Sequence, residues 1–450
     1  MADRFPMNVN LISKFAAPVP RYTSYPTAAQ FRPDVGVSQY RQWLSELPDA
    51  VPLSLYVHIP FCQQLCWYCG CNTKATRRYE PVAGYLQSLG HEIDQVAEVL
   101  PPTHSVTHMH WGGGSPNVLK AEDIARLASQ LGQRFQTAKA EFAVEIDPRG
   151  LEAAQVEAFA RAGVNRVSVG VQDFDEAVQR AIGRLQSFDA TEQAIGRFRD
   201  KGIGAVNVDL VYGLPHQTCD SLGRTLDKVL ELAPERIAAF GYAHLPQRLR
   251  HQRLIAESSL PGPVERFAQA ELLARRLSEA GYERIGLDHF AKPGDPLARR
   301  QVHRNFQGYT SDDAAVLLGL GASAIGKLPQ GFVQNTVSAG DYAARIRAAR
   351  LATVRGFALS PEDRMRAHVI ERLMCDLEIS QAALERKFGS AASVLVGEIQ
   401  KLLDDDPDGL LAGTGDGFRV TPIGRPFVRS ICAKFDGYLA AGSARHASGV

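Results

Sequence analysis

The stretch Tyr56–Asn72, YVHIPFCQQLCWYCGCN, decides how this chain is read. It holds four of the seven cysteines: Cys62, Cys66, Cys69 and Cys71. The apolar run Leu53-Ser54-Leu55-Tyr56-Val57 leads directly into it, which predicts a strand ending in a cysteine loop. Spacings of four, three and two residues cannot point all these thiols at one centre from a helix, but a loop can do so. Three uses compete at this point. A structural zinc site would take four thiolates, although such sites usually come as two separated pairs. An electron-transfer cluster would also take four. A [4Fe–4S] cluster held by three of the cysteines would leave one iron open to a small molecule with amino and carboxylate groups.

Outward from the loop, short β-branched runs alternate with amphipathic stretches of helical period. Strands are predicted at Leu53–His58, Ser105–Trp111, Glu141–Ile146, Asn165–Val171, Ala205–Val211 and Arg236–Tyr242. Helices are predicted at Pro81–Leu100, Ala121–Phe135, Leu151–Ala162, Thr191–Lys201 and Ser221–Leu232, with Gly163 and Gly202 as stops. Such a series makes a parallel sheet with right-handed crossovers, either open or curved into a partial (βα)6 barrel. Ligands gather at the C-terminal strand ends, where these loops are rich in glycine and polar residues. One is Gly112-Gly113-Gly114-Ser115-Pro116, which lets backbone approach a ligand closely. Gly319–Gly326 (GLGASAIG) reads as a glycine-rich turn. Residues 1–50 read as an N-terminal segment with a short helix, and 51–357 as the α/β unit with an extension. Residues 358–450 read as three helices and a hairpin, a mostly helical, winged-helix-like domain.

Composition narrows the class. Fifty Lys+Arg balance forty-nine Asp+Glu, so no polybasic footprint points to nucleic acid. The start, MADRFPMNVNLISKF, breaks its apolar residues with charge and reads as no secretory signal. No apolar run is long enough to span a membrane. Clustered cysteines in odd number suit a cytoplasmic metal or catalytic protein rather than a disulfide scaffold. A monomer is expected.

The pattern Cys62-x3-Cys66-x2-Cys69 after a strand resembles the signature of the radical S-adenosylmethionine (SAM) enzymes. From near residue 20 to near residue 440 the chain resembles oxygen-independent coproporphyrinogen III oxidases. The motifs are RYTSYPTAAQF, HWGGGSPN, VEIDPRG, GVNRVSVGVQDF, AIGR, VNVDLVYGLP, YAHLPQR, DHFAKP, HRNFQGYT and VTPIGRPFVRSICAKFDGYL, besides the cysteine loop. Three departures appear: Ser115 and Asn117 stand where threonines are usual, and Tyr68 where phenylalanine is common.

The resemblance implies roles. Cys62, Cys66 and Cys69 would ligate a [4Fe–4S] cluster, with Cys71 beside it as an auxiliary group. Tyr56, Gly112, Glu145 and Ile325 would contact the SAM on the cluster. Tyr68, Gly113, Gly114, Gln172, Arg184, Asp209 and Ala243 would contact a second SAM. Taken alone, Glu145 reads as an exposed strand-end carboxylate, Arg184 as a solvated helix-end charge, and Asp209 as a structurally bonded polar residue. The implied reaction is oxidative decarboxylation of two propionates of coproporphyrinogen III, consuming two SAM and fed by a reductant such as a flavodoxin-type protein. Four substrate carboxylates call for guanidinium partners, and Arg21, Arg248 and Arg304 are candidates. Phe306, Gln307 and Tyr309 are expected nearby, with RYTSYPT (Arg21–Thr27) as a lid or substrate wall. The alternatives are a haem chaperone, an anaerobic haem-degrading relative, and nucleic-acid binding by the C-terminal domain. Haem chaperones typically lack the Cys-x-Cys end and RYTSYPT, both of which are here.

Overall fold

The computed structural model describes residues 9–101 and 103–439. The first eight residues of the N-terminal segment and residues 440–450 of the C-terminal one lie outside it. Six strands form the expected parallel series: β1 (Pro52–Ile59), β2 (Ser105–Gly113), β3 (Glu141–Ile146), β4 (Arg166–Gln172), β5 (Ala205–Tyr212) and β6 (Arg236–Gly241). Each pairs in parallel with the next. The crossover helices include α1 (Glu80–Ala97), α2 (Ala121–Arg134), α3 (Ala153–Arg161), α4 (Phe188–Asp200) and α5 (Cys219–Glu231). Gly163 and Gly202, at φ +90° and +81°, follow α3 and α4 as predicted.

Alternation along the strands separates two environments. Leu53, Leu55, Val57 and Ile59 of β1 join Met109, Trp111, Phe142, Val144, Val167 and Val208 in the main core with the helices. Leu89, Ile93 and Val96 of α1 are in the same core, and each such burial contributes about 1.5–3 kcal/mol. The intervening residues, among them Tyr56, His58, His110, Glu145, Ser168, Asn207 and Asp209, carry the polar atoms of the other face. A polar inner face suits a reaction cavity, not a filled barrel.

The sheet extends beyond six strands. Its twelve strands include a seventh parallel one, β9 (Val316–Leu320), beside β1. The antiparallel strands β10 (Ile325–Leu328), β11 (Gly331–Asn335) and β12 (Thr353–Ala358) follow on that side. β7 (Glu283–Ile285) and β8 (His289–Ala291) close the other edge. The segment read as a glycine-rich turn is therefore two strand ends around a short turn. Glycine at 319 serves close pairing: a Cβ there would lie 2.5 Å from the Ile325 carbonyl oxygen.

After β12, helix Pro361–Asp376 opens with a Ser360/Asp363 capping box. Helices Gln381–Phe388 and Ser393–Asp404 follow, with the hairpin Leu411–Thr414/Gly417–Val420 and a third strand, Glu378–Ser380. This agrees with the winged-helix-like reading. The N-terminal segment ties two cores together. Tyr40, Trp43 and Leu44 join the barrel core, while Tyr22 and Tyr25 join Val369, Leu373, Phe418 and Phe435 in the C-terminal core.

Candidate active site

The C-terminal strand ends open into a cleft of about 1690 Å³, including space continuous with solvent. Cys62, Cys66, Cys69, Cys71 and Tyr68 line one wall. Gly113, Gly114, Glu145, Gln172, Asp209 and Ala243 reach it from the other strands, Arg184 from the loop after the short helix Glu176–Ala181, and Arg21 and Phe306 complete the rim. Residues spread over nearly three hundred positions of sequence thus share one surface.

The cysteine loop is clamped from several sides. Phe61 and Cys62 pair with Lys74 and Ala75. The Trp67 N–H donates to the Ile182 carbonyl at 2.8 Å, and its ring packs on Gly183, where a Cβ would sit 2.9 Å away. Gln252 Nε2 donates to the Tyr68 carbonyl at 3.0 Å, and His251 Nε2 lies 2.7 Å from the Cys69 carbonyl oxygen. The Cys71 N–H donates to Cys69 Sγ at 3.4 Å. Hydrogen bonding from Cys71 brings the Cys69 thiol down to about 7, against the opposing effect of burial.

The glycine triplet faces this loop for steric reasons. A Cβ on Gly112 would lie 2.4 Å from Glu145 Oε1, on Gly113 2.2 Å from the His58 ring, and on Gly114 2.4 Å from the Phe61 carbonyl oxygen. The close approach seats Glu145, whose Oε2 accepts the Gly113 N–H at 3.1 Å and whose Oε1 lies 3.0 Å from His110 Nε2.

Two guanidiniums back the cysteines. Arg149 and Arg184 reach Cys66 Sγ at 3.4 and 3.5 Å and share Asp147 between them. The Asp147 carboxyl lies below its ordinary range: burial opposes ionisation, but Arg184 and Arg149 prevail. Arg184 also donates to the Gly170 carbonyl at 2.7 Å, and its side chain is 7% exposed. A solvated helix-end charge is thereby excluded. Gln172, at φ +69°, holds a left-handed backbone at the end of β4, the kind of strain found at functional sites.

Asp209 accepts from Ser168 Oγ at 2.9 Å and Asn207 Nδ2 at 2.8 Å. Burial, then Glu145, still pushes its carboxyl up to about 6. Unfolded, it would ionise near about 3.9. The folded chain therefore holds a proton that the unfolded chain releases, and stability falls as pH rises from about 4 through 6. Asp209→Asn is expected to stabilise the cofactor-free protein by up to about 3 kcal/mol at pH 7, with no gain below pH ~4. Urea unfolding at both pH values measures this, and an equal effect at both would contradict it.

The other predicted residues lie elsewhere. Tyr56, Gly112 and Ile325 do not line the cleft: the Tyr56 ring stacks on His110 at 5.9 Å, and Ile325 pairs with Gln334. Arg248 is exposed in the turn after β6 and does not line the cleft. Arg304 lies in an adjoining chamber, and Tyr309 stands behind it at 4.3 Å with its hydroxyl donating to the Met374 carbonyl. Gln307 is half-buried at the tip of the 303–310 hairpin.

Residues 56–229 match the radical SAM superfamily, and residues 359–427 the HemN C-terminal domain. The oxygen-independent coproporphyrinogen III oxidase of Bradyrhizobium diazoefficiens is 47% identical over 437 residues, covering 96% of this chain and 97% of the relative. The chain belongs to the oxygen-independent coproporphyrinogen III oxidase family. The Escherichia coli member is 40% identical over 435 residues, 95% of each chain. The solved structure of coproporphyrinogen III oxidase (HemN) from Escherichia coli, a radical SAM enzyme, superposes with TM-score 0.90 at 39% identity, covering 96% of this chain and 99% of that one.

A radical SAM member of this family carries a [4Fe–4S] cluster and uses SAM. The residues present fit that pair. Thiols line a cleft backed by guanidinium charge, opposite a wall where any side chain at positions 112–114 would collide. Buried Arg184 Nε and Arg149 Nη1 have no hydrogen-bond partner, as expected beside a site that takes anionic groups. Two departures from the family pattern act together: Ser115 Oγ and Asn117 Oδ1 both accept the Asp147 N–H, at 3.1 and 3.0 Å. Sequence reasoning missed Arg149, Asp147, His251 and Gln252 as site residues. Asp147 and Arg149 stand in the strand-end motif VEIDPRG; His251 and Gln252 carry no local pattern.

Proposed function

We propose that this chain carries out the oxygen-independent oxidative decarboxylation of coproporphyrinogen III to protoporphyrinogen IX, converting the ring A and ring B propionates to vinyl groups. The observation that carries this reading is a three-cysteine loop facing Glu145 and a glycine wall in a family member covered almost end to end. Cys62, Cys66 and Cys69 would hold the cluster, which together with SAM would supply one-electron cleavage of the S–C5′ bond and hydrogen-atom abstraction beside a pyrrole. The chain's own residues prepare that chemistry. Arg149 and Arg184 offset thiolate charge at Cys66. Glu145 accepts ribose hydroxyls, and Tyr56, Gly112 and Ile325 shape its surroundings. Tyr68, Gly113, Gly114, Gln172, Arg184, Asp209 and Ala243 receive the second SAM. Cys71 flanks Cys69 without being a ligand.

Arg21 and Arg304 receive propionates, with Arg248 a more remote candidate, and Phe306, Gln307 and Tyr309 shape the substrate side. Arg21 Nη2 donates to the Gly241 carbonyl at 2.5 Å, and Arg21 and Thr23 line the cleft. Tyr22 and Tyr25 anchor the segment in the C-terminal core, which favours a fixed wall over a swinging lid. Exposed Lys74, Arg77 and Arg78 beside the cysteine loop suit an acidic, flavodoxin-type reductant. No helix among the described residues is long and apolar enough to cross a membrane, and all seven cysteines are unpaired, which favours a reducing, cytoplasmic setting.

Anaerobic reconstitution followed by reductant, SAM and coproporphyrinogen III tests the reading. The expected result is the divinyl product. No product, with stoichiometric haem binding instead, would favour the non-catalytic relative.

A further inference from the structure

We propose that the chamber adjoining the cleft is a carboxylate pocket that holds the propionates the reaction leaves intact, so fixing which two are presented for decarboxylation. It rests on the substrate reading above. Arg21, Gly241 and Tyr242 line both spaces. The chamber holds about 880 Å³ of space between atoms, including space continuous with solvent, much of it too narrow for a macrocycle but open to a thin substituent. Five arginines line it: Arg21, Arg266, Arg284, Arg304 and Arg429.

The chamber's own carboxylates do not balance that charge. Glu271 is exposed at the rim. Asp288 is engaged by His289 Nδ1 at 2.9 Å and lies 4.0 Å from Arg304 Nη1. Among the described residues, Arg266 and Arg284 have no ion pair within 4.0 Å, and their buried Nε atoms lack hydrogen-bond partners. Arg304 is 6% exposed; its Nε and Nη2 donate to the carbonyls of Tyr22 and Arg21, while Nη1 has no hydrogen-bond partner. Burial disfavours the charged forms of Arg266 and Arg284. A guanidinium nevertheless cannot shed its proton in water near neutrality, so an anion must compensate it.

Carboxylate is the anion the site fits. Guanidinium forks pair with it in bidentate fashion. In the type III isomer, the ring C and ring D propionates are neighbours across one bridge, so both arms enter one chamber together. Rings A and B then face the cysteine wall. In the type I isomer, with the same formula and charge, no two propionates are neighbours.

The test is anaerobic fluorescence titration of the reconstituted holoenzyme with the oxidised, unreactive porphyrins coproporphyrin III and coproporphyrin I, alongside turnover. The unmodified protein is expected to prefer isomer III at least tenfold. Arg266→Gln/Arg284→Gln should lose that preference and lower kcat/KM for coproporphyrinogen III at least tenfold, with iron content unchanged. Arg266→Lys and Arg284→Lys, for use if the double variant loads no iron, should show intermediate losses. Equal affinity of the unmodified protein for both isomers would overturn the pocket, as would unchanged preference and kcat/KM in iron-loaded variants. Failure of the unmodified protein to make divinyl product would instead overturn the substrate reading on which the pocket rests.

Discussion

Replacing Cys66 with alanine is expected to abolish iron binding and turnover together. The residue is 6% exposed, and both Arg149 and Arg184 donate toward its Sγ. Removing the sulfur leaves two cysteines of the proposed three and turns two guanidiniums toward an empty volume. Cys71 does not replace it, because that residue flanks Cys69 on the exposed side of the loop. The loss should exceed the roughly 10–100-fold typical of changes outside the metal's direct ligands. Iron and sulfide content after anaerobic reconstitution measures the first effect, and SAM cleavage the second. Cys71→Ala in parallel should keep its iron. Full iron in the Cys66 variant would refute the ligand assignment.

The second large effect is expected at Gly113→Ala. Gly113 sits at φ +100°, a backbone region that costs a residue with a Cβ about 1–2 kcal/mol. The new methyl would also meet the His58 ring at 2.2 Å. That ring cannot swing clear cheaply, since Nδ1 is 2.9 Å from Tyr56 Oη and Nε2 is 3.0 Å from the Asn72 carbonyl oxygen. Overpacking of this kind costs a further ~1–3 kcal/mol. The displacement also pulls the Gly113 N–H from Glu145, loosening the proposed SAM site. Gly84 is the control: it is exposed within α1, and a Cβ there meets nothing within 4 Å. Gly84→Ala should stabilise by about 0.5–1 kcal/mol. Urea unfolding and SAM affinity of both variants check this. Equal stability and affinity for the two would contradict it.

Much of the fold is legible from the strands because each barrel strand repeats one apolar outer face every second residue. β9 escaped that reading. Its last residues, Gly319 and Leu320, run into GLGASAIG, where glycine looks like a turn but serves close strand pairing. The cleft wall was legible where residues stand together in a motif, as in Cys62–Cys71 and Gly112–Gly114. Gln252 and His251 were not, since they hold the cysteine loop from about 180 positions away and nothing local marks them. The arginines of the side chamber were only partly visible. Arg21 and Arg304 stand in distinctive motifs, but Arg266 looks like an ordinary charge on a helix and Arg284 like one on a short strand until folding packs them against Tyr212 and Leu287.

The central claim is that this cleft directs a hydrogen-atom abstraction from a propionate arm. Coproporphyrinogen III deuterated at the propionate carbons attached to the pyrroles tests it most directly. With the reconstituted protein, reductant and SAM under anaerobic conditions, deuterium should appear in 5′-deoxyadenosine, with two molecules of it formed for each divinyl product. Divinyl product without deuterium in 5′-deoxyadenosine would contradict the account.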